Sequence, residues 1–221
     1  MQTYQIIFAA AYLCILGCYL VSETSGNFRL RAWNKIVLAS FFLIYGWAAG
    51  LISGHRDYTV LAMAGLVFAF IGDVWLLWSF RKGGVSFAIG NFFFLAYEIC
   101  YAANRGIPFA RLWWAAIAFA VLWGTSLTLC HRGWMQIPPK YNILKGYLAT
   151  VTAQGTLGLA LACALPDAKT RLLGTGLALF MVSDYFLALY MFRYKQSKWV
   201  LRSNSFTYFS GMLLVVLSIG F

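Results

Sequence analysis

The chain of 221 residues is 62% hydrophobic and 19% aromatic, with 10% charged residues, against about 25% charged in a soluble domain. Apolar runs of about 18 residues or more recur along its length and no alternating strand pattern repeats, which excludes a soluble globular domain and a membrane β-barrel and leaves an all-α polytopic membrane bundle. The net charge of +11 comes from basic residues set singly or in small groups between apolar runs, so it orients the chain in a membrane and gives no ground for a nucleic-acid partner.

Eight transmembrane helices are expected, forming one integral membrane domain over residues 1–221. The first covers about 4–22; its flank has no basic n-region and no clear small-residue cleavage site, so a removable signal peptide is not expected. The second covers about 36–53 and the third about 58–80. After the short turn Arg81-Lys82-Gly83-Gly84, the fourth covers about 85–103 and the fifth about 109–129. Pro138-Pro139 breaks the chain before the sixth, about 143–165. The seventh covers about 171–192 and the eighth about 200–221.

The loops alternate in charge. Those after spans one, three, five and seven hold twelve Lys and Arg, from Arg29 to Arg202, and the others hold five. The positive-inside rule therefore places both termini on the non-cytoplasmic side. The five cysteines (Cys14, Cys18, Cys100, Cys130, Cys163) fall within or beside apolar segments without a CxxC or Cys/His cluster, so buried free thiols are expected. His55 and His131 are far apart in sequence. Neither a metal nor a cofactor is expected.

Of the six acids, Glu23, Asp57 and Asp167 fall in loops, and Asp73, Glu98 and Asp184 fall in spans. An ionisable group inside a bilayer is costly and is usually kept for function or pairing. Asp73 stands in Gly65-Leu-Val-Phe-Ala-Phe-Ile-Gly-Asp-Val-Trp-Leu-Leu-Trp78, and Asp184 in Gly176-Leu-Ala-Leu-Phe-Met-Val-Ser-Asp-Tyr-Phe-Leu-Ala-Leu189. In both, Gly precedes Asp by eight residues and a small residue directly precedes it. The acids are 111 residues apart, and Asn91 and Asn204 follow them by 18 and 20. This pattern admits two four-helix parallel repeats; chance similarity between apolar helices is the other reading. Counted from Arg81 and Arg193, both acids lie roughly 12–14 Å from the cytoplasmic helix ends, with Glu98 nearer the other face.

Polar stripes supply candidate binding residues. Asn91, Glu98 and Tyr101 share one face of span four; Tyr147, Thr150 and Gln154 share one of span six; Asn204, Tyr208 and Gly211 share one of span eight. Such faces point inward, and hydrogen bonding between helices accounts for each stripe taken alone. The acids ask for more. No Lys or Arg is expected mid-span to pair with them, so one acid held neutral and one ionised form a donor and a base. Enol ethers, glycosidic bonds and isoprenoid alkenes or epoxides are substrates for such chemistry. No Ser-His-Asp order, G-x-S-x-G, H-E-x-x-H or P-loop occurs.

The run Val60-Leu-Ala-Met-Ala-Gly-Leu-Val-Phe-Ala-Phe-Ile-Gly-Asp73, the basic turn after it and Phe87-Ala-Ile-Gly-Asn-Phe-Phe-Phe94 resemble the YhhN-like lysoplasmalogenase family. Val182-Ser-Asp184, Leu187-Ala-Leu189 and the terminal Tyr208-Phe-Ser-Gly resemble its second half. The resemblance implies an eight-span enzyme that hydrolyses the vinyl ether of lysoplasmalogens, giving a fatty aldehyde and a glycerophospho-base. Its two acids carry over onto Asp73 and Asp184. Glu98 is retained as a third candidate catalytic acid, and Asn91, Tyr101, Gln154, Asn204 and Tyr208 as candidate substrate contacts. The chain departs from the family at Glu98-x-x-Tyr101, where His-x-x-Tyr is usual.

That departure keeps a terpene cyclase open, with the acids protonating an isoprenoid alkene or epoxide and with Phe92–Phe94, Trp75, Trp78, Tyr97 and Tyr185 near a carbocation. A transporter or lipid-binding protein without chemistry is the third reading. The expected partners are the membrane and a lipid or isoprenoid small molecule; the sequence does not fix an oligomeric state.

Overall fold

The computed structural model describes residues 3–52 and 56–220 and folds them into eight α-helices. They are α1 (Thr3–Ser22), α2 (Phe28–Ile52), α3 (Arg56–Leu76), α4 (Phe80–Asn104), α5 (Trp113–His131), α6 (Ile143–Ala164), α7 (Ala168–Phe192) and α8 (Lys198–Ile219). Each is long and apolar enough to cross a bilayer, which makes this a multi-pass membrane bundle. Ser53 and His55 lie outside the described residues.

Local chemistry sets the helix ends, and it moves several of them away from the expected positions. The second helix begins at Phe28, not near residue 36: Gly26 takes the left-handed conformation (φ 76°), and Asn27 Oδ1 accepts the Leu30 N–H at 3.1 Å. Arg29, Arg31 and Lys35 therefore lie on helix rather than loop. The third helix ends at Leu76, not near 80, and Arg81 to Gly84 form the first turn of α4, capped by Ser79, whose hydroxyl accepts the Lys82 N–H. Capped by Asp167, α7 starts at Ala168, three residues before its expected start, and α8, capped by Ser197, starts at Lys198, two before. In each case a polar or glycine-rich helix start reads as loop, because hydropathy records the apolar middle of a span and not its hydrogen-bonded ends.

Helix adjacency closes a ring. α2 packs on α3, α3 on α4, α4 on α6, α6 on α7, α7 on α8 and α8 back on α2. α1 lies outside against α2 and α8, and α5 outside against α6. Carrying α1–α4 onto α5–α8 maps the pairs α1–α2, α2–α3, α3–α4 and α4–α6 onto α5–α6, α6–α7, α7–α8 and α8–α2. The packing thus follows the order of a two-fold repeat. Glycines set its tightest contacts. A β-carbon on Gly90 would stand 3.2 Å from the Gly65 carbonyl oxygen, and one on Gly176 would stand 2.7 Å from that of Gly211.

These contacts correct the expected register between the halves. With Gly90 level with Gly211, the counterpart of Asn91 is Met212 rather than Asn204, and Phe87 is the counterpart of Tyr208. Those two rings meet edge to face at 5.7 Å. The cysteines are free as expected, but Cys14, Cys18, Cys100 and Cys163 are exposed on the outside of the bundle.

Candidate functional site

Asp73 is almost fully buried, and its two oxygens have different partners. Oδ1 lies 3.1 Å from the Lys35 ammonium, and Oδ2 accepts the Tyr208 hydroxyl at 2.6 Å. Lys35 overturns the expectation that no cation reaches the acids mid-bundle. With α2 starting at Phe28, Lys35 stands two turns into the helix with only 12% of its side chain exposed. The earlier end of α3 also revises the depth: Asp73 lies one turn from its helix end, while Asp184 lies eight residues, or about 12 Å, from the end of α7.

Asp184, also buried, accepts the Tyr147 hydroxyl of α6 at 2.6 Å; among the described residues it has no ion pair. The two carboxylates are close enough to feel one another's charge. Tyr208 feels both, and its ring packs on Phe87 and on Phe180, at 5.3 Å from the latter. Asn91 lies beside the Tyr147 hydroxyl, though its fully buried amide makes no well-formed hydrogen bond. Asp73, Asp184, Asn91 and Tyr208 are thus brought together from four helices. Lys35 and Tyr147 complete the group. The polar stripe of span six already contained Tyr147; the Gly26-Asn27 pair, a helix-start signal, was the clue to Lys35.

Glu98 and Tyr101 stand elsewhere. The Glu98 carboxyl occupies space that Gly158 leaves, since a β-carbon there would meet Oε1 at 2.8 Å. Gly158 faces Gly174, ten residues before Asp184, so Glu98 sits about 15 Å along α7 from that acid. Tyr101 hydrogen-bonds Thr170 at 2.7 Å in the first turn of α7. Gln154 is fully buried on α6, and its amide, like the Glu98 carboxyl, finds no hydrogen-bond partner among the described residues.

Two cavities approach the acids. An apolar groove of about 520 Å³ runs between α4 and α6, lined by Gly84, Val85, Ala88 and Phe92 on one side and by Leu144 and Tyr147 on the other. Val85 and Phe92 are exposed on the outer surface, so the groove opens sideways toward lipid. A second cavity of about 250 Å³ opens at the end of the bundle and is lined by Glu23, Arg31, Lys35, Asn204, Ser205 and Tyr19. Glu23 lies just beyond α1. Burial raises its carboxyl above the usual range, against the Ser205 and Tyr19 hydroxyls it accepts and the charges of Lys35 and Arg31.

The YhhN family model matches residues 30–219, most of the chain. The chain belongs to the YhhN family. No curated protein and no solved structure matches it. The family match includes both aspartates and Lys35, Tyr147 and Tyr208, so the buried group of this YhhN protein falls wholly inside the matched segment.

Proposed function

We propose that this YhhN protein is a membrane hydrolase that cleaves the vinyl ether bond of lysoplasmalogens by acid–base catalysis with two carboxylates. The observation that carries the reading is the unequal pairing of the two aspartates. Asp73 has an ammonium and a phenol to hold its negative charge, which suits a base. Asp184 has a phenol alone among the described residues, which suits a proton donor.

Asp184 would protonate the vinyl carbon remote from the ether oxygen, and the oxygen lone pair would generate an oxocarbenium ion. Asp73 would take a proton from water as that water bonds to the cationic carbon. The hemiacetal would then give its hydroxyl proton to Asp184 as its bond to the glycerol oxygen breaks, and the glycerol oxygen would take the proton held by Asp73, which leaves a fatty aldehyde and a glycerophospho-base and restores both acids. One water is consumed per cycle. The ionic lining of the end cavity, Arg31, Lys35 and Glu23, favours a substrate with a charged headgroup over an isoprenoid hydrocarbon.

The end of the bundle that carries Arg29, Arg31, Lys35, Arg81, Lys82, Arg193, Lys195, Lys198 and Arg202 would face the cytoplasm, with both termini opposite. The test is aldehyde release. Purified protein in nanodiscs should convert a lysoplasmalogen to fatty aldehyde and should leave the saturated ether analogue intact. Absence of aldehyde, with cyclisation of an isoprenoid or proton-coupled uptake in its place, overturns the reading.

A further inference from the structure

The groove and the end cavity are each lined by the partner of a different carboxylate. Tyr147, the donor to Asp184, lines the groove; Lys35, the ion-pair partner of Asp73, lines the end cavity. Among the lining residues one is common to both: Phe80. It is the first residue of α4, directly after the Ser79 cap and the short turn from Leu76. Its half-buried ring stands edge-on to Tyr141 at 5.8 Å and to Phe192 at 6.3 Å. These three rings close the end of the bundle between α4, α6 and α7.

We infer that the Phe80 side chain is the partition between the two cavities, and that a single-chain amphiphile spans both by displacing it. The inference rests on the hydrolase reading for the chemistry, but its geometry is independent of that reading. The groove is apolar, opens to lipid, and has a volume within the roughly 300–1,000 Å³ usual for small-molecule sites. It suits one hydrocarbon chain. The end cavity has Arg31 and Lys35 beside Glu23, a mixed lining for a charged headgroup. A molecule with its chain in one and its headgroup in the other must cross the position of the Phe80 ring, with its chain beside Tyr147, the partner of Asp184, and its headgroup beside Lys35, the partner of Asp73. An aromatic ring at the start of a helix is well suited to this role. Rotation about χ1 moves it without unwinding α4.

The test uses the full chain in nanodiscs with a non-hydrolysable long-chain alkyl-ether lysophospholipid as probe. Phe80→Trp enlarges the partition and should weaken binding of the probe about tenfold or more. Phe80→Ala removes the partition and should bind the probe at least as tightly as the unmodified protein. In turnover of a lysoplasmalogen, Phe80→Trp should raise KM by more than it lowers kcat. Opposite effects of the two variants cannot come from misfolding, which moves both in one direction. Equal affinities in the two variants, or weakening in both, overturn the inference. Phe80-dependent binding without aldehyde release leaves the partition standing and removes the hydrolase reading. Aldehyde release with Phe80-independent binding does the reverse.

Discussion

The two halves of the bundle carry an aspartate in the same setting and treat it differently. In each, the acid follows a small residue and lies eight residues after a glycine that packs against the next helix. In each, the helix before it in the chain supplies one partner at nearly the same remove: Lys35 precedes Asp73 by 38 residues, and Tyr147 precedes Asp184 by 37. The cross-bundle contribution differs too, since Tyr208 of α8 hydrogen-bonds Asp73 while its counterpart on α4, Phe87, has no hydroxyl to offer Asp184. A repeated frame therefore yields two unlike carboxylates through two side chains. An ammonium favours the charged form of a buried acid far more than a phenol does, so similar backbones hold two differently partnered carboxylates, as the proposed division into acid and base requires.

The largest expected effect comes from removing the carboxylates themselves. Asp184→Asn and Asp73→Asn should each lower the rate of aldehyde release about 10²–10⁴-fold, the usual range for a general acid or base. If the halves act as unlike partners, the two variants should differ in their pH–rate profiles, each losing a different limb. Identical residual profiles would break the comparison.

Next comes the residue that makes the halves unlike. Lys35→Met strands a buried carboxylate, and breaking a buried pair from one side costs about 3–5 kcal/mol. Thermal unfolding in detergent should register that loss, and the double variant Lys35→Met/Asp73→Asn should recover most of it while remaining inactive. Recovery of activity in the double variant would show that Asp73 is not the base. Tyr147→Phe is the milder change in the other half. It removes one hydrogen bond to Asp184, worth about 1–3 kcal/mol when the partner carries charge, and should slow turnover by roughly tenfold without a comparable loss of stability.

The eight spans and the two aspartates were legible because length, hydropathy and rare buried charge are properties of single segments. Lys35 was not, since the polar start of α2 hides two helical turns behind Arg29, Arg31 and Asn34. Reading Asn27 as a cap would have brought Lys35 into the span. The placement of Glu98 was illegible for a different reason. Its distance from Asp184 depends on how α4, α6 and α7 pack at Gly158 and Gly174, and a stripe along one helix carries no information about its neighbours.

The smallest effect is expected where the second half is anchored at its other end. Asp167 caps α7 by accepting the Thr170 N–H at 3.0 Å and pairs with Arg105 of the α4–α5 link at 3.1 Å. Burial alone would raise its carboxyl, but the Thr170 hydrogen bonds and the Arg105 charge hold it below the usual 3.8. A depressed carboxyl stabilises the fold above the unfolded value and ceases to do so as the pH falls through the folded one. Asp167→Ala should therefore cost about 1 kcal/mol near neutral pH, mostly through the lost cap, with little from an ion pair this exposed. The difference in melting temperature from the unmodified protein should shrink as the pH drops below 3.8. Turnover should be unchanged, because Asp167 caps the start of α7, 17 residues before Asp184. A kinetic effect as large as that of Tyr147→Phe would mean that the asymmetry between the acids is set by the whole second half rather than by Lys35 and Tyr147.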